Sequence, residues 1–208
     1  MRQGRTVRAG RRRPANLVDR WTDGWGYGRL SDWRERVLAF WFDEVGPDHW
    51  WRGGESVDGL CRNRFADLYA EKRQLPPESF LEGPLTALAG VILFDQLPRN
   101  MYRGHADQFM TDSLALGIAK GAVDRGYDEQ LTKDQRTFLY MPFEHSENLV
   151  DQERSLILFT ALGDDYLLGF AHKHYDVIKR FGRFPHRNQM LGRQPRPDEL
   201  AAGDTNPW

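Results

Sequence analysis

A chain of 208 residues, 40% hydrophobic and 28% charged, has the make-up of one soluble globular domain with short tails. A formal net charge of -1 argues against a whole-protein field for nucleic acid or a membrane surface. The lone cysteine, Cys61, excludes an intrachain disulfide and fits a reducing, cytoplasmic setting; no apolar run approaches the roughly 20 residues that span a bilayer.

Residues 1–30 stand apart. Arg2, Arg5, Arg8, Arg11, Arg12 and Arg13 precede the first acid, Asp19, and WTDGWGYG follows without helical or strand period. This stretch is expected to be a disordered, arginine-rich extension. A dispensable leader is favoured over a basic arm for nucleic acid or a transit-like peptide, because nothing downstream needs it.

Residues 31–202 read as a single helical domain, with 203–208 as a tail. Ser31 is the expected cap of a helix that turns Trp33, Val37, Phe40 and Trp41 inward. GPDHWWRGG breaks it, and Trp50 and Trp51 are expected as core wedges rather than a ligand-stacking wall. Ser56–Arg73 forms the next helix, with Cys61, Phe65, Leu68 and Tyr69 inward. A third begins near Pro84 with the stripe Leu85, Leu88, Val91, Ile92 and then Asp95; Pro98 is expected to kink or end it. The fourth, about Ala106 to Arg125, carries Ala115, Ala119 and Ala122, with Gly117 and Gly121 nearby, small enough for close helix approach. Thr132–Met141 is a short fifth helix closed by Pro142. Ser146 is the expected cap of a sixth, with the stripe Leu149, Val150, Glu153, Ile157 and Thr160. A seventh carries Leu167, Phe170, Ala171, His174, Val177, Ile178 and Phe181, and a weak last turn surrounds Asp198–Ala202. No run alternates long enough to build a sheet. The fold class is therefore all-α, an antiparallel helical stack or bundle.

Asp95, Glu153 and His174 each sit on an otherwise apolar stripe, where an unpaired charge would cost several kcal/mol. Partners are available at the helix breaks: Arg99, Arg103, Arg154, Arg183 and Arg187. Arg99, Asn100, Arg103, Arg183, Arg187 and Asn188, with His186, offer more donors than Asp95 and Glu153 can use, which points to a small anionic ligand such as a phosphate or carboxylate. In that reading Arg99, Arg103, Arg183 and Arg187 hold the anion, with Asn100 and Asn188 beside them. His174 or His186 acts as acid or base, and Asp95 or Glu153 orients it. Glu144, His145, Glu147, Asp151 and Gln152 are further candidates; Glu144, Glu147 and Asp151 would also absorb surplus cations. Two other readings stay open: an adaptor that reads a peptide's acidic end, and a polar network with a purely structural role. No metal is expected, since neither H-E-x-x-H nor a glutamate followed three residues later by histidine occurs. No cofactor is expected either: Gly24-Trp25-Gly26-Tyr27-Gly28 lacks the spacing of a dinucleotide loop, and Cys61 has no activating neighbour beyond Arg62 and Arg64.

VLAFWF (Val37–Phe42), ILFDQLPRNMYRG (Ile92–Gly104), FLYMPFEHSENLVDQERS (Phe138–Ser155) and RFGRFPHRNQMLGR (Arg180–Arg193) together resemble a widespread, mainly bacterial family of uncharacterised proteins, a domain of unknown function. The resemblance covers roughly Val37 to Leu200, with the motifs in the family's order. It implies a tetratricopeptide-like helical fold with stacked helix pairs around a concave groove. It implies no activity and no catalytic roles.

Overall fold

Asp32 opens the first helix of the computed structural model, which describes residues 32–207; the arginine-rich extension, Trp208 and Ser31 with its expected cap lie outside the described residues. The Asp32 carboxylate accepts from the Arg34 N–H at 2.9 Å, satisfying one of the donors that a helix start leaves unpaired. Helix α1 (Trp33–Leu38) continues into a π-helical stretch, Ala39–Val45, that drives Phe40, Trp41 and Val45 into the core. After the short α2 (Pro47–Trp50), α3 (Glu55–Lys72) buries Val57, Cys61, Phe65 and Tyr69 at four-residue steps.

Helix α4 (Pro84–Val91) is buried almost all round. Only its first turn reaches solvent, so Leu85 is 50% exposed and does not join the expected stripe. It passes through a π-helical stretch, Ile92–Gln96, into α5 (Leu97–Met101), so Pro98 neither ends the rod nor empties it of hydrogen bonds. The expected fourth helix is split: a 3-10 turn, Ala106–Phe109, precedes α6 (Asp112–Asp124). Ala115, Ala119 and Ala122 let α6 pack on α4, while Gly117 faces the Pro77 ring, which a Cβ there would meet at 2.8 Å.

Helix α7 (Lys133–Glu144) starts with a capping box between Thr132 and Gln135 and runs through Pro142 rather than stopping there. Asn148, not Ser146, caps α8 (Leu149–Leu162) by accepting from the Val150 N–H at 2.9 Å. The face of α8 is also a correction. Leu149, Val150, Glu153, Ile157 and Thr160 point outward, with Val150 and Ile157 each 69% exposed. Asp151, Gln152, Ser155, Leu158, Phe159 and Leu162 point inward. Apolar counting favours the wrong face, because the inward one carries three polar residues, of which Asp151 and Gln152 hold the preceding turn. Helix α9 (Asp165–Phe181) packs on α8, is capped by Asp164 and stops at Gly182, whose φ of 68° suits glycine. Helix α10 (Pro197–Ala202) closes the chain. Among the described residues every regular element is helical, and no helix is long and apolar enough to cross a membrane.

Phe138 on α7 ties the first helices to the rest. Its ring centroid lies 5.5 Å from Trp41, 5.6 Å from Phe42, 5.0 Å from Trp50 and 5.8 Å from Trp51. Such pairs add to the area they bury. Phe138→Ala is expected to lower unfolding stability by about 3–5 kcal/mol, read from urea titrations followed by tryptophan fluorescence.

Candidate functional site

The π-helical turn of α4–α5 places Asp95 inside the protein, fully buried. Around Pro98, which has no N–H to give, three backbone carbonyls take side-chain donors instead. Phe94 accepts from Thr111 at 2.7 Å, Asp95 from Arg99 at 2.6 Å and Gln96 from Asn100 at 3.0 Å. The Asp95 carboxylate accepts from His145 Nδ1 at 2.8 Å and from Gln96 Nε2 at 2.6 Å, with Arg99 Nη1 at 3.2 Å. Burial by itself would raise this carboxyl; the charge of Arg99 and the contact with His145 outweigh it and hold it below the usual carboxylate range.

His145 reaches Asp95 from the turn that follows α7. That turn is held from α8: Gln152 Nε2 donates to the carbonyls of Phe143 at 3.3 Å, Glu144 at 2.7 Å and Ser146 at 2.7 Å. Because Asp95 can only accept, Nδ1 of His145 carries the proton and Nε2 is left basic. Burial lowers the His145 pKa and Arg99 adds to the effect, so the ring is neutral near pH 7. Glu144, beside it, is buried as an acid. Burial, with the negative charge of Asp95 adding, pushes it up to about 8, and its buried Oε1 makes no hydrogen bond.

The loop after α9 supplies the third part. Glu147 anchors it by accepting from the Phe184 N–H at 2.7 Å and from Arg193 at 2.7 and 2.9 Å. This presents Arg187, which is 6% exposed and lies over the rings of Phe109 and Phe184 at 4.6 and 4.5 Å. Its Nη1 is 3.3 Å from Asp112 Oδ2, and its buried Nε has no hydrogen-bond partner. Burial, with Arg99 nearby, lowers its pKa to about 10. His174 donates from Nδ1 to the Phe170 carbonyl at 2.9 Å and is pushed down by burial to about 3; burial and Arg187 push His186 down to about 4.

These groups border one cavity of about 490 Å³. Of the residues named from sequence, Arg99, Arg103, Glu144, His145, His174, His186 and Arg187 line it, and Asp95 backs it through His145. Others lie elsewhere. Glu153 is exposed on the outer face of α8, because that helix is turned the other way. Arg183 and Asn188 are bound to Glu199, at 2.6 and 2.9 Å. Asp151 pairs with Lys120 and Ser146 at 2.5 and 2.8 Å, and Arg154 pairs with Asp124. Asn100 supports Arg103, which also holds Asp58 in a two-pronged pair. Glu147 and Gln152 shape the loops rather than the cavity wall. The cation surplus is therefore smaller than the sequence suggests: Asp112, Asp58 and Glu199 absorb most of it. None of these three carries a local signal, since each meets its arginine only through the fold. Trp50 packs on the core, and Trp51, 56% exposed, stacks on Phe138; both also line the cavity. Cys61 is buried and its thiol is pushed up by burial to about 12, so it is no nucleophile at neutral pH. Among the described residues no three His, Cys, Asp or Glu side chains gather as metal ligands.

The fold and site define an all-helical protein with a polar-floored cavity between α4–α5, α7 and α9. The chain belongs to the family described as bacterial protein of unknown function (DUF924), whose model matches residues 37–203. It is similar to a solved structure of a protein of unknown function, ATU0120 from Agrobacterium tumefaciens, at 37% identity and a TM-score of 0.75, over 83% of this chain and 97% of that one. No curated protein matches the chain.

The two buried groups at the floor set opposite pH limits. Glu144, raised from 4.5 to about 8, keeps a proton in the folded state that the unfolded chain has released, so stability falls as pH rises through that window. His174, lowered from 6.5 to about 3, refuses a proton that the unfolded chain takes, so stability falls as pH drops through that window. Glu144→Gln is expected to match the parent's melting temperature at about pH 5 and exceed it by about 3 °C or more at about pH 9. Equal melting temperatures at both pH values would refute a neutral buried Glu144.

Proposed function

We propose that this protein binds a small anionic organic ligand in the cavity, and that the Asp95–His145 pair serves there as a general base. The observation that carries the reading is Arg187: a guanidinium in the cavity wall, almost wholly buried, whose ion-pair contact is a long one, 3.3 Å to Asp112. A buried charge that is only loosely paired is costly, and an anion in the cavity beside the guanidinium would offset that cost. His145 Nε2 is basic because Asp95 orients the ring through Nδ1, the arrangement by which carboxylates position catalytic imidazoles. Glu144, carrying its proton at neutral pH, supplies an acid next to that base.

Volume supports a small ligand over a peptide. A tetratricopeptide-like adaptor reads its partner along a surface spread over several helix pairs, whereas these groups converge on about 490 Å³, the size of a small-molecule site. A purely structural network accounts for Arg183 with Glu199 and for Arg193 with Glu147, where charges and hydrogen bonds are matched. It accounts less well for Arg187, held by two rings and a 3.3 Å contact to Asp112, and for Glu144, whose Oε1 lies 3.6 Å from His174 Nδ1. The buried free thiol of Cys61 supports a reducing, cytoplasmic setting.

A thermal-shift screen of carboxylated and phosphorylated metabolites tests the reading. Anions that raise the melting temperature of the parent by about 3 °C or more at saturation should lose that effect in Arg187→Met, a change that keeps the stem over Phe109 and Phe184. Any turnover found with such a ligand should fall about 100-fold or more in Asp95→Asn. A library without a single stabilising anion, against a folded Arg187→Met control, rejects the proposal.

A further inference from the structure

Polarity and burial are graded along one face of α9. Tyr166, Phe170 and His174 follow one another at four-residue steps and all line the cavity. Tyr166 is 73% exposed, Phe170 is half-buried and His174 is 7% exposed. Eight residues of helix span about 12 Å at 1.5 Å each, so the cavity runs about that far from an aromatic mouth to a polar floor. Trp51, Phe159 and Met190 extend the apolar wall.

The charge at the floor is close to balanced. Asp95 and Asp112 face Arg99 and Arg187. Arg99 commits its donors to both Asp112 oxygens, at 2.9 and 3.0 Å, and to Asp95. Arg187 is the cation of this set with an unmatched donor. The three histidines at the floor are lowered by burial and neutral at pH 7, and Glu144 is raised, so none of them adds charge. A dianion would sit beside two carboxylates with one incompletely matched cation, a repulsion that a low-dielectric site amplifies. Arg187 and Glu144 both line the floor, so one carboxylate there has a guanidinium and a protonated carboxyl to meet its two oxygens.

Building on the anion-binding reading, we infer that the ligand is a monocarboxylate with an elongated apolar acyl or aryl body. Its carboxylate lies against Arg187 and Glu144, and its body runs up the wall past Phe170 to Tyr166. This makes charge state and body length the two features the site reads.

Calorimetric titration of the full chain with octanoate, octyl phosphate, octanamide and acetate tests both. Octanoate is expected to bind at least tenfold more tightly than the other three, and to lose tenfold or more in Arg187→Met. Tyr166→Ser, at an exposed position that leaves the fold alone, should weaken octanoate about threefold or more without changing acetate. Octyl phosphate binding as tightly as octanoate, with both lost in Arg187→Met, overturns the monocarboxylate inference and leaves the anion reading standing. Octanamide or acetate equalling octanoate overturns it through the charge or the body respectively. If neither octanoate nor octyl phosphate binds while the broader anion screen gives Arg187-dependent hits, the acyl body is wrong; if that screen is also blank, the anion reading falls with it.

Discussion

A carboxylate with no exposure to water must be neutralised within the protein, and Asp95 sets that demand at the centre of this fold. Two partners are committed by meeting it. Arg99 comes one turn later on the same rod, and His145 comes from the turn after α7. Arg99 in turn needs Asp112 at the start of α6, and Asp112 reaches Arg187 in the loop after α9. One buried charge thus links four segments. Removing any partner leaves another charge stranded in a low-dielectric interior, which costs more than the pair itself contributes.

The backbone at this centre is irregular for the same reason. A π-helical stretch shifts the register of side chains along the rod, and here it lies at the residues that carry Asp95 and Gln96. Pro98 then removes a backbone donor just where the helix is being rewound. Thr111, Arg99 and Asn100 replace it with side-chain donors. DQLPRN therefore has two kinds of member: Asn100 holds the backbone, whereas Asp95 and Arg99 also shape the cavity. PFEHSE divides likewise, with Glu144 and His145 at the cavity and Glu147 pinning the loop that carries Arg187.

The helical class, the order of the helices and the convergence of three polar segments were legible in the sequence. Apolar residues at helical spacing and turn residues at the breaks report local structure directly. The orientation of α8 was not legible. Leu149, Val150 and Ile157 form the better apolar stripe, yet that face is outward because Gln152 must reach the carbonyls of the preceding turn and Asp151 must reach Lys120. A tertiary requirement there overrides the periodicity, and Glu153 was misplaced with it. The pairing of Arg183 with Glu199 and of Arg103 with Asp58 was equally hidden, since charge partners distant in sequence leave no local pattern. The aromatic wall was not legible: Phe170 stood on the expected stripe, Tyr166 did not, and Trp50 and Trp51 were expected as core wedges. Tyr166 begins a face that becomes polar at His174, but the grading along it shows only once the cavity is known.

The proton inventory of the floor gives the arrangement chemical direction. Environments that push titratable groups apart define acid and base assignments. Here a carboxyl is raised to about 8 while the imidazoles of His174 and His186 are lowered to about 3 and 4. At pH 7 the glutamate therefore holds a proton, the reverse of its usual state, while the histidines are neutral. A neutral carboxyl and a neutral imidazole are thus consecutive in the chain, at Glu144 and His145. The same desolvation that makes Asp95 costly is thus what keeps Glu144 protonated and His145 neutral.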